Sequence, residues 1–124
     1  MRILVERMMD PGVELLIAAR ADAVVPALVI GLGGIWTEVL GDVAVVPLPA
    51  SAERVALAIR SLRGSALLEG GRGGEAVDVD AAATVAERVG SLLIERRLDL
   101  LELNPVAVNR RGCVALDALA RART

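Results

Sequence analysis

The chain has 124 residues, a length typical of one domain, and we expect a single unit spanning residues 1–124. Its hydrophobic fraction of 55% is almost entirely aliphatic, because Trp36 is the only aromatic residue, and this predicts strands covered on both faces or a surface covered by a partner. The net charge of −2 excludes the basic surface of a nucleic-acid-binding protein, and the absence of histidine excludes Ser-His-Asp catalysis, Cys-His catalysis and His-based metal sites.

The first predicted elements are two strands, over residues 3–8 and 13–19. Residues 10–12 between them read Asp-Pro-Gly, a turn tripeptide, because proline presets φ and glycine tolerates positive φ. Two further β-rich segments follow at residues 26–32 and 35–46. The first ~48 residues are therefore predicted to form a meandering antiparallel sheet.

The same N-terminal region predicts neither a membrane span nor a signal peptide. Its longest uncharged stretch, residues 23–37, is shorter than the ~18 apolar residues that a spanning helix needs. Glu6 and Arg7 interrupt the hydrophobic N-terminus before it reaches signal-peptide length. We therefore expect a cytoplasmic protein without membrane contact, in which the lone Cys113 is a reduced thiol, either buried and inert or reactive.

A change to helical periodicity predicts the first helix after Ser51. Val55, Ile59 and Leu62 recur at the spacing of one helix face. Ser51 is placed as the N-cap and Gly64 as the C-terminal stop.

A second helix is predicted to begin at Asp78 or Asp80 and to end near Arg97. Its apolar stripe includes Val85, Val89 and Leu92. Two strands over residues 100–108 and 113–118 follow, joined by an Asn-to-Gly turn. The fold class is therefore α+β, with a mainly antiparallel sheet and two packing helices.

The last two strands carry the candidate metal ligands. Strand alternation places Glu102 and Asn104 on one face, and the hairpin brings Asp117 towards them. Two carboxylates and an amide oxygen are the hard ligands that Mg²⁺ prefers, together with waters and phosphate oxygens. On spacing alone, an ordinary solvated face of a hairpin explains the same residues.

Two other features of the sequence are candidates for a nucleotide site. The cluster at residues 31–36 lacks the last glycine of a dinucleotide fingerprint, and the absence of lysine excludes a P-loop. These glycines allow either close backbone approach to a ligand or tight bends in a sheet. Glu14 lies between apolar neighbours in a predicted strand and could face either ribose hydroxyls or water.

An ordered set of segments resembles the ATP-grasp domain of ADP- or NDP-forming acyl-CoA synthetases, relatives of the succinyl-CoA synthetase β subunit. The set reads Val-Glu-Arg-Met, Pro-Gly-Val-Glu-Leu, Gly-Leu-Gly-Gly-Ile-Trp-Thr-Glu-Val-Leu, Asp-Val-Ala, Gly-Arg-Gly, Glu-Leu-Asn-Pro and Ala-Leu-Asp. It extends over essentially the whole chain, so the resemblance implies the C-terminal lobe of that fold.

The resemblance also implies roles for individual residues. The hinge at Glu6, Arg7 and Met8 would meet the adenine of ATP or ADP, with Glu14 near the ribose. Glu102, Asn104 and Asp117 would hold Mg²⁺ against the phosphates, an electrostatic role in phosphoryl transfer.

The resemblance implies partners as well. The family interconverts acyl-CoA, ADP and phosphate with the free acid, ATP and CoA, through an acyl phosphate and a phosphohistidine. The match starts at the hinge, so we expect the N-terminal ATP-grasp lobe, the CoA-binding domains and the family histidines to be supplied elsewhere, and the chain alone not to be catalytic. An apolar surface facing the other lobe is expected to drive pairing with another chain or homo-oligomer formation. The alternatives are a stand-alone regulatory or protein-interaction module and a structural remnant.

Overall fold

A computed structural model describes residues 1–8, 12–22, 24–33, 41–70 and 74–123. The described elements, in chain order, are β1 Val13–Arg20, β2 Ala27–Leu32, β3 Val43–Pro47, α1 Ala52–Arg60, a short 3₁₀ turn Ser65–Leu67, α2 Val79–Glu95, β4 Leu98–Asn109, β5 Gly112–Ala115 and β6 Ala118–Ala122. The strands form one antiparallel sheet. The predicted α+β class with two helices is confirmed.

The long strand β4 organises the sheet. The strand order is β3-β2-β1-β4-β5, and β6 also pairs with β4. The second edge of β4 is thus shared, with β5 alongside its C-terminal half and β6 alongside its N-terminal half. At the junction the Leu116 amide donates to the Pro105 carbonyl at 2.9 Å, and the Asn104 amide donates to the Asp117 carbonyl at 3.1 Å. Asp117 therefore lies directly beside Asn104.

Both helices pack on one face of the sheet. On β1 every second residue, namely Leu15, Ile17 and Ala19, is at most 1% exposed, as strand alternation requires. These residues join Val55 of α1 and Leu93 of α2 in a single core cluster. Burial of alternate apolar side chains under the helices therefore determines which side chains point to the opposite face of the sheet.

Capping side chains set the helix starts. The Ser51 hydroxyl accepts from the Arg54 amide at 3.3 Å, and Asp78 accepts from the Ala81 amide at 3.0 Å. The prediction of Ser51 as N-cap is confirmed, and Asp78 rather than Asp80 caps α2. Gly64 as the stop of α1 was wrong, because the helix ends at Arg60.

Gly64 instead has a negative φ and lies in the turn after the helix, where its amide donates to Asp42 at 2.8 Å. An added Cβ there would meet the Leu32 side chain, so close packing with β2 accounts for the glycine. The stripe predicted for α2 was slightly rotated: Val89 is buried, whereas Val85 and Leu92 are half-buried. The small residues Ala82, Ala83 and Ala86 form the rest of its buried face.

The predicted strand at residues 3–8 was wrong. This segment carries no strand conformation, and all of its residues are exposed. A strand needs a partner for its backbone groups, and both edges of β1 are already taken, by β2 and β4. Of the predicted turn at residues 10–12, only Gly12 is among the described residues. Of the predicted strand at residues 35–46, residues 35–40 lie outside the described residues, and Val43–Pro47 is a strand.

Candidate functional site

The side of the sheet opposite the helices, called the open face below, collects the polar residues of the strands. On β1 the alternation places Glu14, Leu16, Ala18 and Arg20 there. Ala18 is 5% exposed yet does not belong to the core cluster that the helices cover. Residues directly opposite each other in an antiparallel ladder share a face, so the register extends this face across the neighbouring strands.

Three rows of side chains cross the open face from β1 to β4 and on to β5 or β6. The first row is Glu14, Ala107 and Val114. The next contains Ala18, Glu102 and Leu119. The last is Arg20, Leu100 and Arg121.

A cavity of about 790 Å³ opens beside the first row. Glu6, Arg7 and Met8 line it together with Glu14, and Ala107, Val114 and Leu116 form its sheet side. The structure thus brings the four residues predicted to bind nucleotide to one cavity. Residues 6–8 are exposed and present backbone without strand pairing, so their amide and carbonyl groups are accessible to a ligand.

The predicted metal ligands lie together, between the first and last rows. The Asn104 amide nitrogen is 3.5 Å from Glu102 Oε1, and alternation puts both on the open face. Asp117 follows through its backbone contact with Asn104, while its Oδ1 accepts from the Ala118 amide at 2.8 Å. Asn104 and Asp117 are exposed, and Glu102 is half-buried.

The side chains of Glu102, Asn104 and Asp117 fit a hard cation whose remaining ligands are waters or phosphate oxygens. Among the described residues, the His, Cys, Asp and Glu side chains form no group of three or more that could hold a metal. Glu102 and Asp117 would supply two carboxylates, and the Asn104 amide oxygen would be the third donor. Mg²⁺ is usually bound by one or two carboxylates plus waters and substrate phosphates. The residues therefore suit Mg²⁺ brought in with a nucleotide.

A charged cluster at the last row, formed by Arg20, Asp22 and Arg121, was not predicted from the sequence. Arg20 donates to Asp22 through Nε at 3.1 Å and Nη2 at 2.7 Å, and Arg121 Nη2 lies 3.7 Å from Asp22 Oδ2. The hydrogen bond from Arg20 is the largest cause of the lowered pKa of Asp22. The pKa of Arg20 is raised, first by its hydrogen bond to Asp22 and also by the charge of Glu102. No local sequence pattern indicates this cluster, because Arg121 is far from Arg20 and Asp22 in the sequence and only the register of β1, β4 and β6 brings them together.

Two other features lie away from these rows. A smaller cavity of about 450 Å³ is lined by Gly12, Gly70 and Asn109, and at its mouth Arg110 pairs with Glu75 at 3.0 Å. Burial raises the pKa of the half-buried Cys113 thiol, which keeps it protonated and slow to react. In the described part of the chain, no helix combines the length and apolar character needed to cross a bilayer.

In comparison with protein families, residues 1–121 match the ATP-grasp domain. Among curated relatives, the chain is 32% identical over 117 residues to acetate–CoA ligase (ADP-forming) I of Archaeoglobus fulgidus, covering 93% of this chain and 17% of that protein. It is 30% identical over 118 residues to the beta subunit of acetate–CoA ligase (ADP-forming) I of Pyrococcus furiosus, covering 94% of this chain and 51% of the subunit. The chain thus spans about half of the Pyrococcus furiosus subunit and 17% of the Archaeoglobus fulgidus protein.

Solved structures give the same picture. The dinucleotide-forming acetyl-coenzyme A synthetase 1 of Ca. Korarchaeum cryptofilum, in complex with coenzyme A and Mg-AMPPCP, superposes with a TM-score of 0.86 at 32% identity, covering 93% of this chain and 55% of that chain. Its apo form gives a TM-score of 0.87 at 32% identity, covering 94% and 57%. In the first of these, a phosphohistidine segment points towards the nucleotide-binding site.

Proposed function

Because this chain belongs to the ATP-grasp family, we propose that it is the nucleotide- and magnesium-binding lobe of an ADP-forming acyl-CoA synthetase. The observation that carries the proposal is the open face, on which the cavity at residues 6–8 and the donors Glu102, Asn104 and Asp117 follow one another along the same strands. A nucleotide lying along the strands would meet both. The relatives named above act on acetate and coenzyme A, and a related acid and its acyl-CoA are the proposed substrates here.

The base and ribose are assigned to the cavity. The unpaired backbone at Glu6, Arg7 and Met8 would offer amide and carbonyl groups to the edge of adenine, and the apolar side chains of Val114 and Leu116 would offer a surface beneath it. Glu14 is exposed on the same face and can accept hydrogen bonds from ribose hydroxyls. A mostly apolar cleft with a few placed polar groups is the usual form of such a site.

The phosphates are assigned to the donor cluster. Glu102, Asn104 and Asp117 would hold Mg²⁺, whose chemistry is to neutralise charge on phosphate oxygens during phosphoryl transfer. The Ala118 amide fixes one oxygen of Asp117 and leaves the other free to coordinate. Asn104 can present its amide oxygen because its nitrogen already points to Glu102.

The proposed lobe positions a substrate and contributes no nucleophile. The chain has no histidine, so a phosphohistidine would come from another segment or subunit. The proposed reaction interconverts acyl-CoA, ADP and phosphate with the free acid, ATP and CoA. It needs the complementary ATP-grasp lobe and the CoA-binding domains. We therefore expect the chain to bind nucleotide weakly and to be inactive until these partners are added.

Calorimetry of this chain with Mg-ADP and Mg-ATP tests the proposal. We expect dissociation constants on the order of a millimolar, since one lobe supplies only part of the binding surface. Asp117→Asn removes a negative charge at the metal donors and is expected to weaken Mg-nucleotide binding about tenfold. The matched control is Asp80→Asn, an exposed carboxylate on α2 at the opposite side of the sheet. Equal affinity in both variants, or no heat from the wild type, contradicts the proposal.

A second candidate is a non-catalytic interaction module derived from the same lobe. Large apolar side chains on the open face favour it, since Val45 is 62% exposed and Leu119 is 58% exposed. The calorimetry separates the candidates, because an interaction module has no reason to bind Mg-nucleotide through Asp117.

A further inference from the structure

The charged cluster of Arg20, Asp22 and Arg121 lies at one end of the open face. It is separated from Glu102 by a single step of two residues along β4, which is about 7 Å. Arg20 and Arg121 flank Leu100 from the two neighbouring strands, which places their Cα atoms about 10 Å apart. Leu100 is 9% exposed although it lies outside the core under the helices, as expected if the two arginine stems cover it.

The order of features along the strands indicates which part of a bound nucleotide would face the charged cluster. The cavity at residues 6–8 lies beside the row of Glu14, the metal donors come next, and the cluster comes last. A nucleotide with its base in the cavity and its phosphates at the metal donors has its chain of phosphates directed towards Arg20 and Arg121. Arg20, Asp22 and Arg121 together carry two positive charges and one negative charge, and the charge of the neighbouring Glu102 also acts on Arg20.

The guanidinium groups of Arg20 and Arg121 contact Asp22 but keep N–H donors that can bind a ligand. Two hydrogen bonds to Asp22 orient the guanidinium plane of Arg20, and Arg121 forms a longer ion pair of 3.7 Å with the same carboxylate. The side chains of Arg20 and Arg121 remain 52% and 56% exposed. Each arginine has five N–H donors, and the contacts to Asp22 use a minority of them. Guanidinium groups orientated by a carboxylate match the geometry of phosphate oxygens.

We propose that Arg20, orientated by Asp22, and Arg121 together form a phosphate-binding subsite for the terminal phosphate of the nucleotide or for a free phosphate in its place. This subsite rests on the proposed nucleotide-binding function and extends it beyond the metal donors. Glu102, one of the proposed metal donors, lies one step along β4 from the row of the two arginines, so a phosphate bound beside the cation would have guanidinium groups on its other side.

Binding and NMR measurements on the full chain test the subsite. Arg20→Met and Arg121→Met keep the long apolar stem and remove the charge, and each is expected to weaken Mg-ATP binding about tenfold, with a smaller loss for Mg-ADP. Arg88→Met is the matched control, because Arg88 on α2 is 62% exposed and pairs with Glu95 at 3.3 Å on the other side of the sheet. Thermal unfolding of each variant checks that the sheet is intact. In the wild type, the ¹⁵N signals of Arg20 Nε and Arg121 Nε should shift on addition of Mg-ATP.

Inorganic phosphate identifies the source of the phosphate group. Shifts with Mg-ATP but not with phosphate alone support the terminal phosphate as ligand, and shifts with phosphate alone support a free phosphate. Suppose that the wild type binds Mg-ADP and Mg-ATP, that both arginine variants either bind as tightly as Arg88→Met or lose ADP and ATP affinity equally, and that phosphate alone shifts neither arginine signal. The subsite is then wrong and the proposed function stands. If the wild type binds neither nucleotide, the proposed function is wrong and the subsite falls with it.

Discussion

The backbone of Gly12 passes so close to β4 that a side chain would not fit between them. A Cβ at this position would collide with the carbonyl group of Val108, which is backbone and cannot rotate away. Gly90 on α2 is also tightly packed, but its nearest neighbour is the flexible end of the Leu48 side chain. We expect Gly12→Ala to lower the free energy of unfolding by about 2–3 kcal/mol. Gly90→Ala should change it much less, because alanine favours the helix by about 1 kcal/mol, and urea denaturation of both variants measures the difference.

Asp22 makes the free energy of unfolding of the chain depend on pH in the acidic range. Its pKa is lowered in the folded state, mainly by the hydrogen bond from Arg20, so the stabilisation is present above the unfolded pKa and is lost as the pH falls through the folded pKa. We therefore expect Asp22→Asn to be less stable than the wild type at about pH 7, and this difference to shrink as the pH is lowered towards about 2. Asp80→Asn, which removes a carboxylate that is 80% exposed, is the control and should have little effect at either pH. A constant difference for Asp22→Asn across this range would contradict the argument, and urea denaturation at each pH measures it.

At the scale of elements, the start of α1 is fastened by two side chains. Ser51 accepts from the Arg54 amide, and Glu87 of α2 accepts from the Ala52 amide at 2.6 Å. The charged acceptor also interacts favourably with the positive end of the helix dipole. We expect Ser51→Ala to cost about 1 kcal/mol and Glu87→Ala about 2 kcal/mol in the free energy of unfolding. Glu87→Gln keeps an acceptor oxygen and should lose less than Glu87→Ala, and chemical denaturation of the three variants checks the order.

Elements defined by local chemistry could be predicted, and those defined by pairing could not. The serine cap, the aspartate cap and the apolar run of β2 each carry their own signal, and all three lie where the sequence places them. Residues 3–8 carry a strand-like pattern, but a strand also needs a free neighbouring edge. The predicted strand at residues 113–118 likewise divides at Leu116, where the chain passes from one half of β4 to the other.

At the scale of the whole molecule, the sequence predicts the composition of the candidate site better than its layout. Glu102 and Asn104 are neighbours by alternation alone, and Asp117 joins them through a hairpin that the Asn-to-Gly turn already indicates. Arg20 and Arg121 are a hundred residues apart, and only the register of three strands brings both to Asp22. Long-range register follows from the packing of the entire sheet, so no local pattern reveals it.

The open face also governs how the whole molecule associates. Val45 on β3 and Leu119 on β6 are more than half exposed, and the net charge of −2 gives little electrostatic repulsion between copies. We expect the isolated chain to self-associate through this face as its concentration rises, in agreement with the apolar surface predicted from its composition. Val45→Lys should shift sedimentation towards the monomer. Leu57→Lys, which replaces a leucine that is 69% exposed on α1, should leave association unchanged because it lies on the helical side. A monomeric wild type at high concentration, or an equal response of the two variants, would show that the open face does not mediate contact between copies.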